Sequence, residues 1–388
     1  MYFDSYKIDW EKILDIESTL YDNLKKDQQK TRWKRTKTNL LYSRPSIPKT
    51  STKSDFFFFK SMKRDDYNQQ FQVLLNLCDD TSYLDLIFEP KKKRGKYPFY
   101  VFFKYFPLLI KNFQFDFRKM TYMIMNQIKY LEVAEKIFKN RFNLLIVYAD
   151  MQPFDNMLCQ YAQKKGIETV TIQHGLYVNY EKDPNINCVN YRNQVAKYFL
   201  SWGDETARLI QEFHPDTKII ICGKPLKRIN TQRDQSYFSV VFDQRIFQEY
   251  NIKLLKIATL YAKEHNLTIN LKLHPSNKIS EYSINSDIIK FDKNIENSLF
   301  VLGHTTSLLY ELMRQGIPTY KLHSSIACND IDDSLTFTSY EELLLKIQEK
   351  NQQNFDFSNY AKYYIKSIDS ESLEEYKDFF KRLSNGQI

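Results

Sequence analysis

The chain has 388 residues, which is enough for two α/β domains that each bury a core. Its 43% hydrophobic and 27% charged content is typical of a globular protein and excludes global disorder. The net charge of +9 is local, because residues 21–64 carry 13 Lys or Arg against three Asp. The N-terminus shows no apolar leader, no apolar stretch is long enough to span a membrane, and the five cysteines show no paired spacing. These features predict a cytoplasmic protein.

The first 110 residues carry few clear signals. Helices are predicted at Trp10–Lys26 and Phe117–Asn140, whereas the opening strands of this part are not predicted. A second basic run at 91–96 leads into aromatic residues that end at Phe103. Basic residues beside aromatic ones favour an anionic membrane surface, so 21–64 and 91–103 predict peripheral attachment at the inner face of the membrane, with a solvated basic face as the alternative. No nucleic-acid-binding module is recognisable, and we expect no nucleic-acid partner.

From residue 143 onward, short apolar strands alternate with amphipathic helices. The predicted strands of this part are Asn143–Tyr148, Glu168–Ile172, Lys197–Trp202 and Lys218–Cys222, and its helices are Asp155–Lys164 and Glu205–Glu212. Six of the eight glycines fall between 166 and 316, at the ends of predicted elements, as expected for residues kept for turns. The alternation predicts a parallel sheet with helices on both faces.

A second alternating unit follows the polar connection Lys227–Gln235. Its predicted strands are Phe238–Phe242, Leu267–Leu273, a short strand near Ile288, Leu299–Leu302 and Thr319–Leu322, and its helices are Arg245–Glu264, Tyr340–Lys350 and those from Ser358 to Leu383. The pattern predicts an α/β fold with two Rossmann-like doubly wound domains facing a cleft. We place the acceptor-side domain at 1–226 and the nucleotide-donor domain at 236–388, with the terminal helices able to cross back.

A hydroxyl-rich turn follows the strand Leu299–Leu302, which Gly303 is predicted to end. Thr305, Thr306 and Ser307 stand before a predicted helix that carries Glu311. Backbone N–H groups and hydroxyls at such a position can bind phosphate oxygens, although the same residues could simply cap the helix. Glu311 lies about one turn into the helix, where its carboxylate can reach sugar hydroxyls of the same ligand. The segment therefore predicts a nucleotide site.

Three histidines follow predicted strands: His174, His274 and His304. Histidine at such a strand exit can take a proton from an acceptor hydroxyl or, when protonated, neutralise a leaving phosphate. A lone histidine is more often structural, but three at successive sheet exits favour a functional interpretation. No acidic or cysteine cluster with metal-ligand spacing accompanies them, and no dinucleotide-binding or Walker motif is present, so we expect neither a metal nor another cofactor.

The motifs, in their order and spacing, resemble those of the bacterial GT-B transferases that make surface polymers. They are Gln173-His174-Gly175, Trp202-Gly203-Asp204, Gly223-Lys224-Pro225, His274-Pro275 and Gly303-His304-Thr305-Thr306-Ser307 with Glu311. They are most similar to the CDP-glycerol glycerophosphotransferase group of teichoic-acid and capsule enzymes, and bacterial sialyltransferases and polysialyltransferases share the His-Pro and paired-hydroxyl motifs. The resemblance covers about residues 143–325.

The resemblance implies a role for each matching residue. His174 and His274 are the implied catalytic residues, with His174 as the base toward the acceptor hydroxyl. Gln173 and Gly175 flank it on the acceptor side of the cleft. Glu311 is implied to hold the ribose, and the remaining donor-binding residues are Gly223, Lys227, Arg228, Pro275, His304, Thr305, Thr306 and Ser307.

The implied function is metal-independent transfer of a sugar or polyol-phosphate from a nucleotide-activated donor. Lipid-linked or polymeric glycan of the bacterial surface is the expected acceptor. Gly303-His304-Thr305 departs from the Asp-Tyr-Ser-Ser type sequence usual in glycerophosphotransferases, so a CDP-polyol, a CMP-sugar and a UDP-sugar all stay open as donors. A nucleotide-sugar 2-epimerase and a non-catalytic glycan- or membrane-binding protein of the same fold are the alternatives.

Overall fold

The computed structural model describes most of the chain from residue 137 onward and selected segments before it. These are 8–22, 26, 29–30, 55–61, 65–78, 81–85, 119, 123, 130, 133–135, 137–177, 188–228, 232–284, 287–291, 294–325 and 331–388. The chain divides into two compact units. Unit 1 comprises Met1–Ser201, Ala207–Ile221 and Leu373–Ile388, and unit 2 comprises Trp202–Thr206 and Cys222–Ser372.

Unit 1 is built on a parallel sheet. Its described strands are β1 (Phe56–Lys60), β2 (Thr81–Asp85), β3 (Leu144–Val147), β4 (Glu168–Ile172), β5 (Tyr198–Ser201) and β6 (Lys218–Ile221), in the order β2-β1-β3-β4-β5-β6. The described helices are α1 (Trp10–Asp22), α2 (Asp65–Leu75), α3 (Pro153–Lys164), α4 (Val189–Arg192), α5 (Asp204–Phe213), which starts in unit 2, and the greater part of a C-terminal helix.

The core of unit 1 is strongly aromatic. Phe57 stacks on Phe142 with ring centroids 4.8 Å apart, and Phe59 meets Phe154 edge to face at 5.1 Å. On the other side of β1, Phe58 packs against Phe380 of the C-terminal helix. Burial of such large rings supplies much of the apolar area that stabilises a core, so the run of phenylalanines in β1 anchors the sheet.

Unit 2 has a second parallel sheet. Its described strands are β7 (Tyr237–Val241), β8 (Thr268–Lys272), β9 (Ile289–Lys290), β10 (Val301–Gly303), β11 (Thr319–Leu322) and β12 (Thr336–Phe337), in the order β12-β11-β10-β7-β8-β9. The helices are α6 (Gln248–Glu264), α7 (Leu308–Arg314), α8 (Tyr340–Gln352), α9 (Phe357–Tyr360) and α10 (Asp369–Ser384), which continues into unit 1. Short 3₁₀ turns lie at Arg245–Phe247, Ile279–Glu281, Ile295–Asn297, Asp333–Leu335 and Ala361–Tyr363.

All described strands pair in parallel with their neighbours in both sheets. Helices lie between the strands along the chain. The α/β class with two Rossmann-like units is therefore confirmed. One expected detail changes: Gly303 is the last residue of β10 and does not break the strand. A Cβ there would come 2.6 Å from Leu309 Cδ2, so glycine is needed because α7 packs closely on the strand end. Across the described residues, no helix is long and apolar enough to cross a membrane.

Candidate functional site

The strand order of unit 2 fixes where a ligand is expected. The chain builds β7, β8 and β9 toward one edge and returns to place β10 beside β7, so the topological switch point lies between β7 and β10. Ligands of open α/β sheets bind at the carboxyl ends of the strands at such a point. Residues that follow β7, β8 and β10 therefore form the candidate donor site.

The hydroxyl-rich turn lies at this edge. Helix α7 begins at Leu308, and Ser307 precedes it without capping it through its side chain. Instead, the Leu308 N–H donates to Thr306 Oγ1 at 3.3 Å. Since that oxygen only accepts in this bond, the Thr306 O–H proton can still be donated to a ligand. The turn thus presents hydroxyl donors next to a helix of only seven residues.

Asp243, which follows β7, was not predicted from the sequence. Its Oδ2 accepts the Thr305 N–H at 2.6 Å, so one of the N–H groups expected to face a ligand is already satisfied. Its own backbone is held by the side chains of Asn251 and Asn277. The side chain is 6% exposed, which makes Asp243 a rigid support for the turn. Its signal in the sequence is its place at the end of a strand.

His304 is completely buried beside Asp243. Its Nδ1 lies 3.2 Å from Asp243 Oδ2 but makes no hydrogen bond with it, and that oxygen accepts the Thr305 N–H. Its Nε2 lies 2.5 Å from Ser324 Oγ, and the Tyr250 ring stacks on it at 4.6 Å. A ring enclosed in this way supports the turn Thr305–Ser307, which follows it directly in the chain. This role differs from the direct donor contact implied by the resemblance, which stays a prediction.

His274 follows β8 and has a defined tautomer. The Ser276 N–H donates to its Nδ1 at 3.1 Å, and Ser276 Oγ lies 2.8 Å from the same nitrogen. Because Nδ1 accepts, the neutral ring carries its proton on Nε2. Nε2–H is then a hydrogen-bond donor of the kind that a phosphate oxygen needs. Pro275 stands in the turn between these two residues and is exposed.

Glu311 is held by an ion pair. Lys224 Nζ lies 2.5 Å from Glu311 Oε1, with side-chain exposures of 12% and 14%. Gly223 precedes this lysine with φ of +74°, a conformation that favours glycine. Lys227 and Arg228, predicted to contact the donor phosphate, are both exposed in this structure. The cation that accompanies Glu311 is thus Lys224, which the sequence did not single out.

His174 follows β4 in unit 1 and lies among tyrosines. Its Nδ1 is 3.1 Å from the Tyr177 hydroxyl, and the Tyr67 ring meets it edge to face at 5.7 Å. In the tautomer that keeps Nε2 as the basic nitrogen, Nδ1–H donates to Tyr177 Oη. Burial raises the pKa of Tyr177 well above its usual range, so this phenol stays protonated at neutral pH.

Gln173 braces the turn that carries His174. Its side chain is buried, its Nε2 donates to Gly175 O at 2.7 Å, and its Oε1 accepts from Ser201 Oγ at 3.2 Å. Gly175 has open space where a Cβ would stand. The hydrogen bond from Gln173 to Gly175 O spans His174 and holds its backbone in place.

Two buried carboxyls follow β3 and were also missed. Asp150 Oδ2 accepts the Val195 and Ala196 N–H groups, and burial raises its pKa. Asp155, in the first turn of α3, accepts a hydrogen bond from Ser61 at the end of β1. Burial raises the pKa of Asp155 from 3.8 to about 8. Among the described strands, β1 and β3 flank the switch point of this sheet.

The predicted membrane-facing segments fall mostly outside the described residues. The run 91–103 lies there entirely, as does most of 21–64. Within the described part of the chain, no cluster of three or more His, Cys, Asp or Glu side chains is arranged to hold a metal ion.

Comparison with solved structures identifies the fold. The chain is similar to MnaA of S. aureus solved with UDP, with a TM-score of 0.53 and 11% identity over 87% of this chain and 98% of that one. UDP-GlcNAc 2-epimerase from Methanocaldococcus jannaschii gives a TM-score of 0.52 at 10% identity, covering 86% and 100%. The fold is of the GT-B type. The wall teichoic acid polymerase TagF also aligns, with a TM-score of 0.44 and 10% identity over 100% and 99%.

No protein-family model matches the sequence. No curated protein matches it either. At identities of 10 to 11%, the structural similarities show the fold alone.

Proposed function

We propose that this GT-B protein is a metal-independent transferase that moves a sugar or polyol-phosphate from a nucleotide-activated donor to a growing bacterial surface glycan. The donor is a CDP-polyol, a CMP-sugar or a UDP-sugar, and the glycan is a capsule, a teichoic acid or an exopolysaccharide. The observation that carries the proposal is the joint position of His274, the turn Thr305–Ser307 and Glu311. They follow β8 and β10 at the ligand-binding edge of unit 2.

In the proposed donor site, each group has a chemical counterpart on a nucleotide. His274 Nε2–H and the hydroxyls of Thr306 and Ser307 donate to phosphate oxygens. The Glu311 carboxylate accepts from ribose hydroxyls. Donors fixed in place before the reaction stabilise the charge that develops on the leaving phosphate, and removal of one such donor costs about 100- to 1000-fold in rate.

On the acceptor side, His174 is the proposed general base. Its ring is held by Tyr177 and its backbone by Gln173, which fits a group that must be aligned with a hydroxyl. General-base catalysis contributes about 100- to 10,000-fold. His174→Ala should therefore abolish turnover and leave nucleotide binding nearly intact.

A donor-consumption screen tests the proposal. Purified protein is incubated with CDP-glycerol, a CMP-sugar and a UDP-sugar, with and without a glycan acceptor, and released nucleotide is measured. We expect release from one donor, stimulated by acceptor and absent in His174→Ala. Full turnover in that variant would remove His174 from the mechanism, and consumption of no donor by the wild type would refute the transferase.

A nucleotide-sugar 2-epimerase is the second candidate, and Asp155 is the observation that favours it. Epimerisation needs groups that remove and return a proton, and a carboxyl with a pKa of about 8 is suited to hold one near neutral pH. Asp155 also lies at the switch point of the sheet in unit 1.

The two candidates differ in their need for an acceptor. An epimerase converts UDP-GlcNAc to a second sugar nucleotide when no acceptor is present, and Asp155→Asn should abolish that conversion. A transferase leaves the configuration at C2 of the sugar nucleotide unchanged. Chromatography of the nucleotide sugars after incubation decides between them.

A further inference from the structure

A buried ion pair occupies the part of unit 2 where the ribose is proposed to bind. Lys224 Nζ and Glu311 Oε1 are 2.5 Å apart, and both side chains are at least 86% buried. The ammonium also lies 4.3 Å from the centroid of the Trp202 ring. A charge with so little contact with water needs a partner, because loss of one member leaves the other uncompensated.

The backbone of Lys224 is fixed by hydrogen bonds at its turn. The Lys224 N–H donates to Ser367 O at 3.0 Å, and the Asp369 N–H donates to Leu226 O at 2.7 Å on the other side of the turn. A Cβ on Gly223 would come 2.2 Å from Ser367 O, so glycine is required for this close approach. Any rearrangement at the pair therefore involves the side chains of Lys224 and Glu311 and leaves this turn in place.

A nucleotide supplies a replacement partner for each charge. Ribose hydroxyls donate hydrogen bonds to the Glu311 carboxylate, and phosphate oxygens accept hydrogen bonds from the Lys224 ammonium. Glu311 is four residues after Ser307, which is about 6 Å along a helix, so phosphate bound by the hydroxyl turn lies near the lysine. When the ion pair opens, the ammonium then keeps an anionic partner and the carboxylate keeps hydrogen-bond donors.

We propose that Lys224 is a donor-phosphate ligand that exchanges Glu311 for a nucleoside 5′-phosphate, and that this exchange makes the site selective for nucleotides over nucleosides. The inference rests on the proposed function and adds a residue to it. A nucleoside binds Glu311 through its ribose and separates it from Lys224, but it has no anionic group to pair with the lysine. Its binding therefore leaves the ammonium uncompensated, whereas a nucleoside diphosphate satisfies both groups.

The test compares CDP with cytidine, and UDP with uridine, by calorimetric titration of the full chain. Lys224→Met keeps the aliphatic stem and removes the charge, and Lys263→Met is the control because Lys263 is an exposed lysine of α6 in the same unit. We expect Lys224→Met to weaken binding of the preferred diphosphate about 10- to 100-fold, as befits a lost hydrogen bond to a charged group. Nucleoside binding should not weaken, and Lys263→Met should change neither affinity by more than about twofold, as for an exposed charge.

Lys224→Met also leaves Glu311 buried without its cation, so its stability is measured by urea unfolding. If this variant is poorly folded, the titrations are made on the double variant Lys224→Met, Glu311→Gln, which lacks both charges. This double variant should lose selectivity for diphosphate over nucleoside.

Trp202 fluorescence gives an independent readout, because the exchange moves the ammonium away from its ring. In a Trp10→Phe, Trp33→Phe background, CDP or UDP should change the emission, and Lys224→Met should abolish the change. Diphosphate binding by Lys224→Met within about twofold of the wild type overturns the exchange. Equal losses for diphosphate and nucleoside overturn it as well. Failure of the wild type to bind CDP, CMP or UDP refutes the proposed function itself, which is a separate result.

Discussion

The buried carboxyl of Asp155 makes the stability of the protein depend on pH in a way that one substitution should remove. Its pKa rises from 3.8 to about 8 because burial penalises the charged form. The folded state therefore binds this proton more tightly than the unfolded state. The stability that the protonated group contributes is fully present below pH 3.8 and is lost as the pH rises through about 8.

The size of the effect follows from the pKa difference. Each pH unit within this window costs about 1.36 kcal/mol, so the wild type should lose about 4 kcal/mol through this group between about pH 5 and pH 8. Asp155→Asn keeps the shape and does not titrate. Its free energy of unfolding relative to the wild type should rise by about the same amount over that range. Asp150 is present in both proteins, and its charge is one of the smaller causes that raise the pKa of Asp155.

Urea unfolding at several pH values measures this difference directly. The exposed Asp216→Asn controls for removal of one carboxyl elsewhere in unit 1. Wild-type and Asp155→Asn curves that stay parallel from about pH 5 to pH 8 would refute the reasoning, since Asp155 would then titrate alike in both states.

Two further substitutions test residues that hold the hydroxyl-rich turn and the His174 ring in place. Asp243→Asn replaces a charge-assisted hydrogen bond from the Thr305 N–H by a neutral one, which should cost about 1 kcal/mol and weaken nucleotide binding about fivefold by calorimetry. Asp332→Asn, at an exposed carboxyl, is the control and should not weaken binding. Equal affinities of Asp243→Asn and the wild type would show that the turn does not need Asp243. Tyr177→Phe removes the partner of His174 Nδ1 and should lower turnover about tenfold without changing nucleotide affinity. The His174 tautomer, read from ¹H–¹⁵N correlations, should change in this variant, and an unchanged tautomer and rate would exclude the positioning role.

The sequence predicted the elements after residue 143 well because each is short, apolar and ended by a turn residue. Glu168–Ile172 and Thr319–Leu322 match strands β4 and β11 residue for residue. β1 was missed because its four phenylalanines run directly into Lys60, a charged residue that is buried here, without a turn residue to mark the end of the strand. Lys60 breaks the apolar pattern, and it is accommodated by a hydrogen bond to Asn68.

The sequence indicates candidate-site residues by their type and position, but it does not indicate their contacts. His174, His274 and Glu311 were found because they stand in recognisable motifs at strand or helix ends. Asp243 and Lys224 were missed because their significance depends on partners 62 and 87 positions away, which no local pattern contains. The roles of all these residues stay predictions until nucleotide binding and turnover are measured.

The most direct test of the account is calorimetric titration of the wild type with CDP, CMP and UDP, repeated with His274→Ala. We predict that at least one nucleotide binds, and that His274→Ala weakens it about tenfold or more because Nε2–H no longer donates to phosphate. Exposed His265→Ala, in unit 2, is the control and should leave the affinity unchanged. Binding of none of the three nucleotides by folded wild-type protein would contradict the central claim.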